Sequence, residues 1–168
     1  MGAHEQVQLA DANNNDSGTA LRSDVRQRNL IHRAAYIFVL SPVGSLCVQQ
    51  RSQHKDIFPS YWDLAAGGVV EAGETPKTTA TRELKEELNI DNQPLESHGD
   101  FYYEDAQCKV WGSVYSCLWG GEIRAQTSEI ADWRFVGVEE VGRFIREQRI
   151  TPTTLHAYQT LLGLDALP

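Results

Sequence analysis

The chain reads as an α/β domain. Apolar strand segments lie on both sides of one amphipathic helix, two more amphipathic helices close the chain, and its 168 residues suffice for one well-buried core. Residues 1–20 are polar and carry the turn-forming run Asn13, Asn14, Asn15, Asp16, Ser17 and Gly18, with weak alternation at Val7 and Leu9. Residues 1–28 are therefore expected as an N-terminal arm or small hairpin, and 29–168 as the main domain. Residues 34–40 and 45–50 read as strands joined by the turn Ser41, Pro42, Val43, Gly44. After a polar loop over 51–59, a strand is predicted over 62–70, running into Gly67 and Gly68. Strands follow over 101–104, 109–119 and 133–136, with Gly120 and Gly121 breaking the second. Helices are predicted over 138–147, with Val141, Phe144 and Ile145 inward, and over 152–162, with Leu155, Tyr158 and Leu162 inward.

The remaining helix, over 76–88, carries the chemistry. Thr75 is its N-cap and Pro76 its first helical residue, while Ala80, Leu84 and Leu88 form an apolar stripe. Asn89 follows, where a residue tolerating the left-handed conformation is wanted. At ~100° per residue, Glu83, Glu86 and Glu87 fall within roughly 100° of arc. Like charges at this spacing repel by about 0.2 to 0.5 kcal/mol per pair. A solvated acidic face would tolerate that, but a helix docked by its apolar stripe makes better sense of it with a cation nearby. Carboxylate oxygens suit hard ions such as Mg2+ or Mn2+.

Gly68, Glu74, Arg82, Glu83, Leu84, Glu86, Glu87 and Ile90 stand in the register of the Nudix box, with Asn89 where that motif has glycine. On this stretch the chain resembles the Nudix hydrolases, and the resemblance implies their α/β/α sandwich with a mixed sheet over roughly 29–162. It also implies that Glu83, Glu86, Glu87 and the main-chain carbonyl of Gly67 gather one to three metal ions about a diphosphate. Such ions polarise phosphorus–oxygen bonds and acidify water. Arg82 would orient a box glutamate through a forked ion pair, and Glu74 would brace the loop, as Gly68 does, without meeting substrate. The general base would be a box glutamate such as Glu83, or Glu129 on a later loop.

The segments 30–40 and 49–68 narrow the resemblance to the branch holding isopentenyl diphosphate isomerase and its hydrolase-like relatives. Arg51 and Lys55 match residues that hold a diphosphate there, as a guanidinium fork and an ammonium on one loop can. His32 matches a metal-ligating histidine. Gly67, however, stands at the position of the catalytic cysteine, Val69 at that of a second metal histidine, and Trp111 and Ser113 at those of acidic residues. Moving a proton across a double bond needs positioned acid and base groups. Their loss leaves the hydrolytic half of the design, with an isomerase and a non-catalytic nucleotide-sensing domain as rivals. Substrate groups beyond the diphosphate would touch Tyr61, Trp62, Phe101, Tyr102, Tyr103 and Trp111.

Composition narrows the partners. A net charge of −8 and a pI near 5.1 argue against nucleic acid. Cys47, Cys108 and Cys117, odd in number and without metal-pair spacing, read as reduced packed thiols and a cytoplasmic protein. No apolar run is long enough for a membrane span. The expected partner is a small-molecule diphosphate, and the N-terminal arm could pair across a homodimer.

Overall fold

The computed structural model describes residues 5–164; the outermost residues of the expected arm and domain, 1–4 and 165–168, lie outside it. The strands are β1 Gln6–Ala10, β2 Asp16–Leu21, β3 Ile31–Leu40, β4 Leu46–Arg51, β5 Trp62–Asp63, β6 Ala66–Val69, β7 Glu96–Glu104, β8 Lys109–Leu118 and β9 Ile130–Val136. The helices are α1 Arg22–Arg28, α2 Pro76–Leu88, α3 Val141–Glu147 and α4 Pro152–Leu161, with a 3-10 turn, Val138–Glu140, leading into α3.

β3 is the axis. It runs parallel to β8 along its whole length, and on its other edge it meets β6 antiparallel, from Ala34 opposite Val69 to Ile37 opposite Ala66. β4 leaves β3 after the single pair Leu40–Leu46 and turns away to pair with β9 and β5. The result is a mixed sheet whose axis is buried on both faces, which is why β3 reads as a nearly unbroken apolar run. Alternate residues Ala35, Ile37 and Val39 pack beneath Ala80, Leu84 and Leu88 of α2. Phe38, in the opposite phase, packs with Phe144 of α3 and Ala157 of α4. Helices thus cover both faces, as the α/β/α expectation requires.

α2 has the expected ends. The Thr75 hydroxyl accepts from the Thr78 N–H at 3.2 Å, and Asn89 adopts φ 57°, ψ 35°. The Asn89 and Ile90 N–H groups close the helix on the Lys85 and Leu84 carbonyls, and Ile90 is buried in the core under α2. The next segment caps the remaining carbonyls: Gln126 N–H donates to Glu87 O at 2.8 Å and Arg124 N–H to Leu88 O at 3.1 Å. That docking brings Glu129 round to α2.

Several expectations need correction. The strand over 62–70 is two short strands, because Leu64 and Ala65, both buried, take the chain from β4 to β3. The residues before 29 contain a helix, α1, as well as the hairpin of β1 and β2; the hairpin joins the sheet through Leu9 opposite His32. Its tip lies over the sheet face, where Arg33 donates to Asn14 Oδ1 at 2.9 Å and Trp111 Nε1 donates to the Asp11 carbonyl at 3.0 Å. Leu162, expected inward, is 52% exposed because α4 ends before it. Among the described residues no helix is long and apolar enough to cross a membrane.

The left-handed turn at Asn89 yields a prediction. A β-carbon without a local hydrogen-bonding group pays about 1 kcal/mol or more there, so Asn89→Ala should lower unfolding free energy by about 1 kcal/mol, and Asn89→Gly should change it by no more than a few tenths. Urea denaturation with unchanged m-values is the measurement; equal stability of the two variants would mean that the turn does not constrain this residue.

Candidate active site

A cleft of about 730 Å3 opens between the exposed end of α2, the loop after β4, and α1. Glu83, Glu86, Glu87, Gly67, Gly68, Arg51, Lys55, Glu129 and His32 all line it. Arg82 and Glu74 are not among the lining residues; they form the brace beside it. Arg82 Nε and Nη2 donate to the two oxygens of Glu74, each at 2.9 Å, and Nη1 donates to Glu83 Oε1 at 2.9 Å and to Glu86 Oε2 at 3.3 Å. Glu74 also accepts from the Thr79 hydroxyl at 3.0 Å and the Glu71 N–H at 3.2 Å, closing the loop onto the helix. The Arg82 hydrogen bonds hold the Glu74 carboxyl below the usual range, and the surrounding acids raise the Arg82 guanidinium further.

The three carboxylates of α2 sit at different depths. Glu83 is 3% exposed, Glu87 half-buried and Glu86 exposed. Burial pushes the Glu83 carboxyl up against the pull of Arg82, and it pushes Glu87 well up, with the charge of Glu83 adding to the shift. The two carboxyls are in hydrogen-bonding contact with each other. Both oxygens of Glu87 have further donors: Gln49 Nε2 at 2.7 Å and the Gly67 N–H at 3.3 Å. Two carboxylates in contact require a proton or a cation between them. Among the described residues no three acidic, histidine or cysteine side chains already form a metal cage. The donor set nevertheless suits a hard divalent ion: two carboxyls in contact, a third exposed beside them, all oxygen.

Gly68 is tight because a β-carbon would run into the Glu83 carboxylate, and Gly67 because one would strike the Ala35 carbonyl. The β3–β6 pairing therefore has no room for a cysteine where the isomerases carry one.

The loop cations are already engaged. Arg51 donates to Asp63 Oδ2 at 3.2 Å and, from Nε and Nη2, to the Ile57 carbonyl at 3.1 and 3.0 Å. Lys55 is ion-paired with Glu129, whose carbonyl accepts from the Ser52 N–H at 3.0 Å. Burial and the nearby Arg51 push the Lys55 ammonium down. Burial pushes the His32 imidazole down, and its Nδ1 is 3.1 Å from the Leu30 carbonyl.

The aromatic expectation fails. Tyr61, Trp62, Phe101, Tyr102, Tyr103 and Trp111 are absent from the cleft lining, whose one aromatic among the described residues is Tyr36. Trp62 packs edge-on to Phe144, and Tyr102 and Trp111 pair on the sheet face near the hairpin tip. Phe101 and Tyr103 pack against His156 of α4, while Tyr102 and Trp111, on the same face as Tyr115, lie out under the hairpin tip.

Two residues were missed. Gln49 follows the apolar run 46–48 of β4, and at 4% exposed it is buried with its amide on Glu87. Asp63 sits between Trp62 and Leu64, lines the cleft, accepts from the Thr151 hydroxyl at 2.7 Å, and is raised by burial against the pull of Arg51. A polar residue between apolar neighbours was the available signal for Asp63, whereas Gln49, followed by Gln50 and Arg51, carried none.

The carboxyl pair gives a pH prediction for the metal-free protein. Folded values raised above the ordinary 4.5 mean that the native state holds protons the unfolded chain has lost, so stability from Glu83 and Glu87 is complete below pH 4.5 and is lost as pH rises through their folded values. With chelator present, Glu87→Gln should stabilise the protein at pH 8 and not at pH 4. Denaturant titration at the two pH values measures this, and an equal loss at both would contradict the charge argument.

A family model described as NUDIX domain matches residues 30–158. The uncharacterized Nudix hydrolase PA4841 of Pseudomonas aeruginosa is 37% identical over 162 residues, 96% of this chain and 95% of that protein. The uncharacterized Nudix hydrolase YfcD of Escherichia coli K12 is 37% identical over 157 residues, 94% of this chain and 86% of its own length. Among solved structures, DR0079 of Deinococcus radiodurans superposes with a TM-score of 0.79 at 22% identity, over 93% of this chain and 99% of that one. The NUDIX domain of Shewanella oneidensis NrtR, solved with ADP ribose, gives 0.63 at 16% identity, over 78% and 86%. At these identities the structural matches speak to the fold.

Proposed function

The chain belongs to the Nudix hydrolase family, and from that premise we propose that it is a divalent-metal-dependent pyrophosphohydrolase acting on a nucleoside diphosphate derivative or a similar organic diphosphate. The observation that carries this reading is the direct contact of the Glu83 and Glu87 carboxyls in a cleft that also holds Glu86, Arg51 and Lys55. Such a pair is a standing demand for positive charge, and a diphosphate brings its own negative charge to the same place.

Glu83, Glu86, Glu87 and the Gly67 carbonyl would hold Mg2+ or Mn2+. The ion supplies charge neutralisation for the diphosphate and acidifies water. The chain's own groups do the rest. Arg82 holds Glu83 and Glu86 in place, while Gln49 and the Gly67 N–H fix both oxygens of Glu87. Gly68, by having no side chain, lets Glu83 lie against the strand. Lys55 turns from Glu129 to a phosphoryl oxygen, and Glu129, freed of its partner, accepts the proton of the attacking water. Arg51 supports the loop on Asp63 and adds positive potential along the diphosphate.

Glu86→Gln and Glu87→Gln should each lower turnover at least about a hundredfold at saturating magnesium, as loss of metal-ion catalysis does. Both should fold. Retention of more than about half of wild-type turnover by either variant would remove the carboxylate site from the mechanism.

The isomerase alternative makes an opposite prediction. Gly67 has no side chain to move a proton and no room for one, so isopentenyl diphosphate should take up no solvent deuterium with magnesium or manganese present, while a panel of nucleoside diphosphate derivatives should release phosphate or a nucleoside monophosphate. Deuterium incorporation seen by mass spectrometry and abolished by Glu87→Gln would favour isomerisation. Binding without reaction in either assay would favour a sensing domain.

A further inference from the structure

The cleft is larger than a diphosphate needs, and its surplus wall comes from α1, upstream of residues 30–158 that the family model matches. Arg22, Ser23, Arg26 and Gln27 present one side of this helix to the cleft. This wall is polar and cationic. On α1 itself no ring faces the cleft, so this wall meets a ligand through charge and hydrogen bonds.

Arg22 and Arg26 lie one helical turn apart, where like charges repel, and burial first, then Arg22 and Arg51, disfavours the charged form of Arg26. A chain that gathers these charges at a cavity wall gains nothing from it unless anions meet them. Arg22 has a sheltered partner, Glu5 at 3.3 Å, with 11% of the Glu5 side chain exposed. Arg26 differs. Its ion-pair partner is Asp56, on the loop after β4, with 65% of the Asp56 side chain exposed. An exposed pair of this kind is worth about 0 to 1 kcal/mol, so an anionic ligand can displace Asp56 at little cost. Arg51, by contrast, pairs with Asp63, whose side chain is 13% exposed, and is not available on those terms.

We infer that α1 forms a second anion subsite centred on Arg26, with Asp56 standing where a ligand's anionic oxygen binds, and that the preferred substrate carries a phosphate beyond the scissile diphosphate. This rests on the pyrophosphohydrolase reading for the identity of the scissile group, and it deepens that reading by naming the class: diphosphates with a polar, further phosphorylated arm.

The test uses matched pairs that differ by one phosphate, NADH against NADPH and dephospho-coenzyme A against coenzyme A. Affinity is measured by calorimetry with magnesium and, separately, kcat and KM from product release. The wild-type chain should bind the phosphorylated member of at least one pair about tenfold more tightly. Arg26→Ala should erase that preference through KM with kcat nearly unchanged. Asp56→Asn, which removes the competing carboxylate, should tighten binding of the phosphorylated member severalfold, whereas a purely structural Arg26–Asp56 bridge would leave it unchanged or weaker. A phosphate preference in binding without turnover would retain the subsite and refute the hydrolase reading. Absence of preference, its survival in Arg26→Ala, or no binding of any member would overturn the subsite.

Discussion

The structure depends above all on the Arg82 guanidinium. Its fork closes on Glu74, which ties the glycine-bearing loop to α2, and its third nitrogen reaches Glu83 and Glu86. A buried glutamate next to two others on one helix is a costly arrangement, and burial alone drives the Glu83 and Glu87 carboxyls toward the protonated form. Arg82 is the built-in counter-charge that lets Glu83 stay in place before any ion arrives. The arginine is rooted in the brace and not in the cleft, so it stabilises the carboxylates without occupying the space a substrate needs. Loss of its fork would release the loop and leave Glu83 buried without compensation.

The core makes this rigidity possible. β3 is held on one edge by β8 along its full length and on the other by β6, and α2 packs on that junction through Ala80, Leu84 and Leu88. Gly67 and Gly68 belong to β6, so the loop side of the site is part of the sheet. A glycine is required at both because the helix carboxylate comes down onto one and the neighbouring strand's carbonyl onto the other. The site is therefore precise because a helix face and a strand meet without intervening side chains.

Much of this was legible in the sequence, and the reason is locality. The caps of α2, the Asn89 turn and the acidic arc lie within one short stretch, where helical spacing decides which side chains meet, and the Arg82 brace follows from the resemblance of that stretch to the Nudix box. The parts that were misread depend on contacts between distant segments. Strand spacing could not reveal that β4 swings from β3 to β9, a turn that splits the strand over 62–70 and places Gln49 and Asp63 at the cleft. The chemistry of the six aromatics suits a substrate, but distant segments cover them: Trp62 meets Phe144, Phe101 and Tyr103 meet His156, and Trp111 meets the Asp11 carbonyl. Helix α1 leaves no apolar period in the sequence because its seven residues bury only Val25.

The ion pairs of the cleft share a logic that bears on affinity. Lys55 holds Glu129, Arg26 holds Asp56, and Arg82 holds Glu86. Each cation thus already has an anion, so ligand binding is an exchange of partners, and the free energy gained is a difference between two charge pairs and not the full strength of either. Exposed carboxylates such as Asp56 and Glu86 are weak holders and exchange easily, while Asp63 is a strong holder because it is buried and bonded to both Arg51 and Thr151. The cleft is consequently graded: a fixed charge frame at Arg51 and Asp63, with exchangeable pairs around it. A polyanion that arrives with a divalent ion satisfies the carboxylates and the cations together, whereas either alone would satisfy one set and strand the other. Under the proposed function, that mutual requirement would make the chain selective for the complex of substrate and ion.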